Sequence, residues 1–386
     1  EHPLFKAALS NPTGPEAQCF YFVRGRAPGV PPDNLRSYFG GSVWEPEPGY
    51  ADLYYLHYFA RQQPDLNWEN PVLRERVYDM ITWWLRRGVA GFRLDAIMNL
   101  CKDLTFPGLE ADDIDGLAAC ARMTERLSEK TLVRLEELKR RAFMPQGAFT
   151  VAEAFGVHQG MLPALCGPHG VFSCIFDFTV REIFEHEAGY YAYPEPSVAL
   201  YREGNFAMQQ RAGRDLLIAP ILENHDEPRA ASFYRRAGQE PGAFARALGT
   251  CFMFLKGLPF IYQGQELGLT NTRFDSLGEF NDLLAHDEYR KCLEHGLDAR
   301  RALEILNVHA RDHARTPMPW DGSPGAGFTS GTPWLKLHQD HRTLNVRAQE
   351  DDPHSTLNYY RALIHLRKQP ELRDSLVNGE FKPWGD

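Results

Sequence analysis

The chain has 386 residues, 43% of them apolar, enough to bury a large core as one big domain with attachments or as two or three domains. A formal charge of −9 and a pI near 5.9 argue against nucleic acid or an anionic membrane as partner, and no apolar run is long enough to cross a bilayer. Seven scattered cysteines without C-x-x-C spacing point to reduced thiols of a cytoplasmic protein, not to a disulfide framework or a zinc site.

Residues 1–67 are rich in Pro, Gly and aromatics (NPTGPE, RAPGVPPDN, FGGSVWEPEPGY), with short extended runs at 19–23 and 54–59. This pattern predicts a small irregular β-containing subdomain. Asn70 then reads as an N-cap with Pro71 at the first helical position. Leu73, Val77, Met80, Ile81, Trp84 and Leu85 follow at helical spacing, and the helix stops at Gly88. In the next stretch Val89, Gly91, Arg93 and Asp95 alternate with Ala90, Phe92, Leu94 and Ala96, the period of a strand. Arg93 and Asp95 therefore share a face at the end of an otherwise apolar run expected to be buried.

The alternation continues. A helix is expected over 124–141, a strand over 149–154 that carries Glu153, and a strand over 171–178. A helix over 197–211 precedes an apolar strand, 216–222, that runs into Glu223, Asn224, His225 and Asp226. A helix over 242–255 leads to a strand over 258–263; residues 279–313 read as a charged helical excursion and 357–366 as a last helix. Strands alternating with helices predict a parallel sheet, and in parallel barrels the C-terminal strand ends form the active face.

Three carboxylates, Asp95, Glu153 and Asp226, fall at the ends of three different predicted strands. Glycoside cleavage needs two carboxyls flanking the bond, and a third can bind sugar hydroxyls or support an oxocarbenium-like centre. Arg93, on the face of Asp95, would keep that carboxyl ionised. Glu153 stands among Val151, Ala152, Ala154 and Phe155 with no adjacent cation in sequence, a setting that raises a carboxyl pKa and suits a proton donor. The bland alternatives are a strand-end ion pair, a helix-capping carboxylate and a loop turn residue. His225 has no second His or Cys at metal-ligand spacing, so a hydrogen bond to a substrate hydroxyl is the better role for it. No Gly-rich phosphate loop and no G-x-S-x-G is present.

The segments QPDLNWEN (63–70), GFRLDAI (91–97), VAEAF (151–155), ENHDEPR (223–229), GLPFIYQGQELG (257–268) and RDHARTPMPWDGS (311–323) resemble the α-amylase superfamily, glycoside hydrolase family 13. Within it they are similar to the oligo-1,6-glucosidase and α-glucosidase group. The resemblance implies a TIM (β/α)8 barrel and a retaining glycosidase in which Asp95 is the nucleophile and Glu153 the acid/base. It implies that Asp226 holds the sugar's 2- and 3-hydroxyls, with Arg93, His225 and Arg315 binding substrate beside it.

On this reading residues 1–67 are a subdomain inserted after the third barrel strand, and 68–371 are the fourth to eighth βα units. Residues 372–386 then begin a truncated C-terminal β-sandwich. The first three strands, with an Asn-His motif expected just before Glu1, are taken to be missing, and the chain opens EHPLF without a Met. Ala96 stands where 1,6-preferring members carry Val, which leans toward α-1,4 tolerance. The expected activity is exo-acting hydrolysis of short α-glucosidic oligosaccharides by a monomer. The alternatives are a transglycosylating relative that isomerises sucrose or maltose, and an inactive or scaffold fragment. No redox or nucleotide cofactor is implied, and the loop for a structural calcium would lie upstream of Glu1.

Overall fold

The computed structural model describes residues 2–123, 128–157, 159–176, 178–186 and 188–383. The chain divides into two compact units, Glu1–Ile175 and Phe176–Asp386.

The first unit opens with a helix, Pro3–Ser10, and a three-stranded antiparallel sheet formed by β1 (Phe22–Arg24), β3 (Trp44–Pro46) and β4 (Leu53–Leu56), with β4 central. The short strand β2 (Leu35–Arg36) pairs in parallel with β6 (Ala118–Ala119), so residues far beyond 67 join the same small core. Tyr21, Leu35, Trp44, Leu56, Ala118 and Met123 pack together there. The aromatic-rich, turn-rich composition gives strands too short for a sheet to stand alone, and shared apolar burial holds them.

The helix Pro71–Leu85 begins as expected, with the Asn70 side chain accepting the Val72 amide at 2.9 Å. Its apolar residues divide between two faces. Leu73, Tyr78, Ile81 and Leu85 are buried, whereas Met80, Trp83 and Trp84 are nearly half exposed. The two indoles meet edge to face at 4.7 Å, and the Arg87 guanidinium covers Trp83 at 3.4 Å.

Gly88, at φ 96°, turns the chain into β5 (Gly91–Leu94). β5 pairs in parallel with β7 (Phe149–Glu153), and β8 (Cys174–Phe176) lies beside β7. The connection from β5 to β7 carries the helix Ser128–Leu138; the expected start of that helix, 124–127, lies outside the described residues. Gly91 is required where the strands meet, because a Cβ there would sit 1.9 Å from the Phe149 carbonyl oxygen. Among the described residues β5 pairs with β7, and it is only partly buried, in contrast to the buried strand expected from its apolar run.

In the second unit Ser197 caps the helix Val198–Ala212 and Glu240 caps Pro241–Met253, both near their predicted bounds. The strand expected over 216–222 contracts to β9 (Ile218–Ala219), and 258–263 forms only an isolated parallel bridge, Ile221 with Phe260. Leu258 donates to the Ile218 carbonyl at 2.9 Å and Phe260 to that of Pro220 at 3.1 Å. The reciprocal bond between them would need an N–H on residue 220, which proline lacks.

The helical excursion forms as Leu283–Glu294 and Ala299–His309 around Phe274, Phe280, Ile305 and Leu306. The last predicted helix runs Thr356–Arg367, against Pro241–Met253. Where a β domain was expected to begin at 372–386, Pro370–Asn378 is helical, and its Leu376 carbonyl accepts from Gly257 and Arg367. Asp177 of the strand expected over 171–178, and residues 384–386, lie outside the described residues. No helix among the described residues is long and apolar enough to cross a membrane.

Candidate active site

The candidate residues named from the sequence fall into two clusters of charge, one in each unit, and each is described by itself. In the first unit the parallel register sets Arg93 beside Val151 and Leu94 beside Ala152. One residue further on, the same register brings Asp95 next to Glu153. The Arg93 guanidinium pairs with both carboxyls: with Asp95, and with Glu153 Oε1 at 2.7 Å. The Ala96 amide donates to Glu153 Oε2 at 3.1 Å, from a left-handed backbone at φ 43°. A cation absent from the sequence neighbourhood of Glu153 is thus supplied across the sheet, a contact that reading along one strand does not reveal.

The two carboxyls sit in different surroundings. The Asp95 side chain is 68% exposed and that of Glu153 only 6%. Thr150, Val151, Ala152 and Ala154 around Glu153 are buried. Its pKa is pushed up to about 8, first by burial and then by the hydrogen bond and charge of Asp95, against the opposing pull of Arg93. The expectation of a protonated Glu153 agrees with this geometry. Asp95, expected in a buried strand end, is exposed at the end of β5, which among the described residues pairs with β7.

In the same unit lies a residue that motif reading missed. Lys102, 1% exposed, pairs with Asp65 of the QPDLN segment at 2.9 Å and also donates to the Asn99 carbonyl. Asp65 in turn accepts the Tyr58 amide at 2.6 Å, and the Tyr58 ring lies 4.1 Å from the lysine nitrogen. The segment after Asp95 is thereby tied to the small subdomain through one buried ion pair. The sequence signal was a lysine directly after Leu100 and Cys101 in MNLCK.

In the second unit the chain leaving β9 presents Glu223, His225 and Asp226. Asp226 Oδ1 accepts from Arg311 at 2.9 Å and from Arg315 at 2.6 Å, and Oδ2 lies 3.1 Å from His225 Nε2. Arg315 also donates to the His225 carbonyl at 2.8 Å. The loop is stapled from below by buried Arg229, which donates to Glu223 at 3.0 Å, to the Gln263 carbonyl at 2.8 Å and to the Ala314 carbonyl at 3.3 Å. Glu227, next to Asp226, is partly buried 3.0 Å from Arg181, and desolvation raises its pKa to about 7 against the pull of that arginine.

The structure thus brings Arg93, Asp95 and Glu153 together in the first unit, and His225, Asp226 and Arg315 together in the second. Arg311, the first residue of the segment RDHARTPMPWDGS, was given no role from sequence, and its partner Asp282 was not singled out. The R-x-x-x-R spacing of Arg311 and Arg315, one helical turn apart, is the signal that points to them. Among the described residues no three His, Cys, Asp or Glu side chains gather as a metal site.

Comparison with known proteins gives concordant results. A family model described as the alpha-amylase catalytic domain matches residues 1–375. The oligo-1,6-glucosidase of Parageobacillus thermoglucosidasius is 34% identical over 384 residues, covering 99% of this chain and 67% of that protein. Trehalose-6-phosphate hydrolase of Escherichia coli K12 is 34% identical over 379 residues, covering 96% of this chain and 66% of that protein. The solved isomaltulose synthase of Erwinia rhapontici NX5 superposes with a TM-score of 0.89 at 33% identity, over 98% of this chain and 67% of its own. The chain spans about two thirds of the length of these relatives. Trehalulose and isomaltulose synthases recur among the similar structures.

Proposed function

Because this chain belongs to the alpha-amylase family, with a mixed α/β fold of the (β/α)8 type that it shares with those solved structures, we propose that it serves retaining glucosyl transfer from a short α-glucoside. Glu153 donates its proton to the glycosidic oxygen while an Asp95 oxygen bonds to the anomeric carbon and the leaving-group bond breaks. The Glu153 carboxylate then takes a proton from an acceptor hydroxyl, whose oxygen displaces Asp95. Asp226 holds hydroxyls of the transferred sugar, with Arg93, His225 and Arg315 as binding partners. The observation that carries the reading is the adjacent, unlike pair: one carboxyl buried with a pKa of about 8, the other exposed and paired to arginine.

The same membership supports the domain reading of 68–371 as the fourth to eighth βα units of a barrel, with 1–67 as an inserted subdomain. The free cysteines support a reducing, cytoplasmic setting.

The acceptor decides between hydrolysis and isomerisation. Exo-hydrolysis was the first expectation, and the oligo-1,6-glucosidases favour it. The sucrose-isomerising synthases among the similar structures favour a sugar acceptor, and this is the reading we adopt. A neutral disaccharide is preferred over a sugar phosphate, since Arg311 and Arg315 are each already matched to carboxylates. Product analysis on sucrose, maltose and isomaltose tests this. Isomerised disaccharide from sucrose supports it, whereas glucose released with no new linkage returns the reading to hydrolysis.

A further inference from the structure

Residues 310–315, ARDHAR, place two arginines and an aspartate on one short helical turn. Asp312 and Arg311 grip the same spot from two sides. The Asp312 carboxylate accepts the amides of Asn281 at 2.7 Å and Asp282 at 3.0 Å. Arg311 meets the Asp282 carboxylate with a two-point fork, Nε to Oδ2 at 2.6 Å and Nη2 to Oδ1 at 2.7 Å. Asp282 is itself buried at the N-cap of Leu283–Glu294. One edge of the guanidinium is therefore fixed to a rigid helix start, and its remaining corner, Nη1, reaches Asp226 Oδ1 at 2.9 Å.

We propose that Arg311, held by Asp282, is a positioning residue for Asp226. This rests on the reading of Asp226 as the carboxylate that grips the sugar. A planar fork cannot rotate about the bond to Asp226 while two of its nitrogens are bound elsewhere, so it fixes the oxygen it touches. Arg315 shares that oxygen and approaches Asp282 at 3.7 Å. Removing Arg311 leaves two carboxylates competing for Arg315, and Asp226 turns away from its productive orientation. A charged pair merely bracing the excursion would stabilise the fold and leave the sugar grip untouched.

The test is a double-mutant cycle in the full chain with an aryl α-glucoside: Asp226→Asn, Arg311→Met and the two combined, with Arg311→Lys beside them. Arg311→Met is expected to lower kcat/KM by about 10²-fold, chiefly in kcat, the scale of a misplacement near 1 Å. Arg311→Lys, which keeps the charge and loses the fork, should fall between it and the parent. In the Asp226→Asn background, removing Arg311 should cost little more.

The proposal is overturned if the two losses multiply in the double variant. It is equally overturned if Arg311→Met lowers only the urea midpoint and leaves kcat/KM unchanged. A harmless Asp226→Asn would sink the reading of Asp226 itself, and it would show in the single variant before any cycle is closed. Should Arg311→Met fail to fold, Arg311→Lys carries the same cycle with the same criteria.

Discussion

Replacing Glu153 by Gln removes a carboxyl whose proton the fold retains to about pH 8, whereas an unfolded chain releases it near 4.5. Between those values the native protein binds more protons than the unfolded one at this site, so the wild type loses stability as pH rises. The limiting slope for one proton is roughly 1.4 kcal/mol per pH unit. The glutamine has no such penalty, so the advantage of Glu153→Gln over the wild type should grow through this window and level off above about pH 8. Because Asp95 hydrogen-bonds to Glu153, the measurement reads the two carboxyls together.

Urea unfolding at pH 5, 6, 7 and 8.5, followed by tryptophan fluorescence, gives the difference directly. Other shifted groups, such as Glu227, are present in both proteins and cancel. A difference that stays flat from pH 5 to 8 would mean that Glu153 titrates like an exposed glutamate, and the burial argument would be wrong. A difference of the opposite sign would mean that Arg93 outweighs burial.

Three further outcomes are expected. Lys102→Met strands the Asp65 carboxylate and should cost roughly 3–5 kcal/mol in denaturant unfolding; a loss under ~1 kcal/mol would place that pair among weak surface bridges. Gly91→Ala drives a methyl into the Phe149 carbonyl and should abolish the soluble folded protein at 37 °C; a well-folded Gly91→Ala variant would show that β5 and β7 can separate cheaply. On an aryl α-glucoside, Glu153→Gln should lose roughly 10²–10⁴-fold in turnover and be accelerated by azide, whereas Asp95→Asn should not respond to it; the reverse pattern would exchange the two roles.

Much of this arrangement was legible because it is local. Asn70–Pro71 announced a helix start, alternation placed Arg93 with Asp95, and an apolar run ending in ENHD located Asp226. What escaped was contact between segments distant in sequence. Arg93 reaches Glu153 only because β5 and β7 share a register, and Asp282 meets Arg311 across 29 residues. Lys102 in MNLCK gave no sign of its partner in QPDLN. Strand lengths were overestimated where proline interrupts the ladder, as at Pro220: hydrophobic runs report burial, and the missing N–H decides pairing.

The crossed indoles of Trp83 and Trp84 give the helix Pro71–Leu85 an optical consequence. Two transition dipoles this close and nearly perpendicular in ring plane, 86° apart, should couple and add an exciton-type band to the circular dichroism of the native chain. Both rings remain accessible to a dissolved collisional quencher, as do Trp320 and Trp334, while Trp44 and Trp68 are shielded. Anything that comes to cover this face should dim the quenching and alter the band together. The crossed pair, through its band, therefore acts as a label-free reporter of what the helix touches, readable in a cuvette.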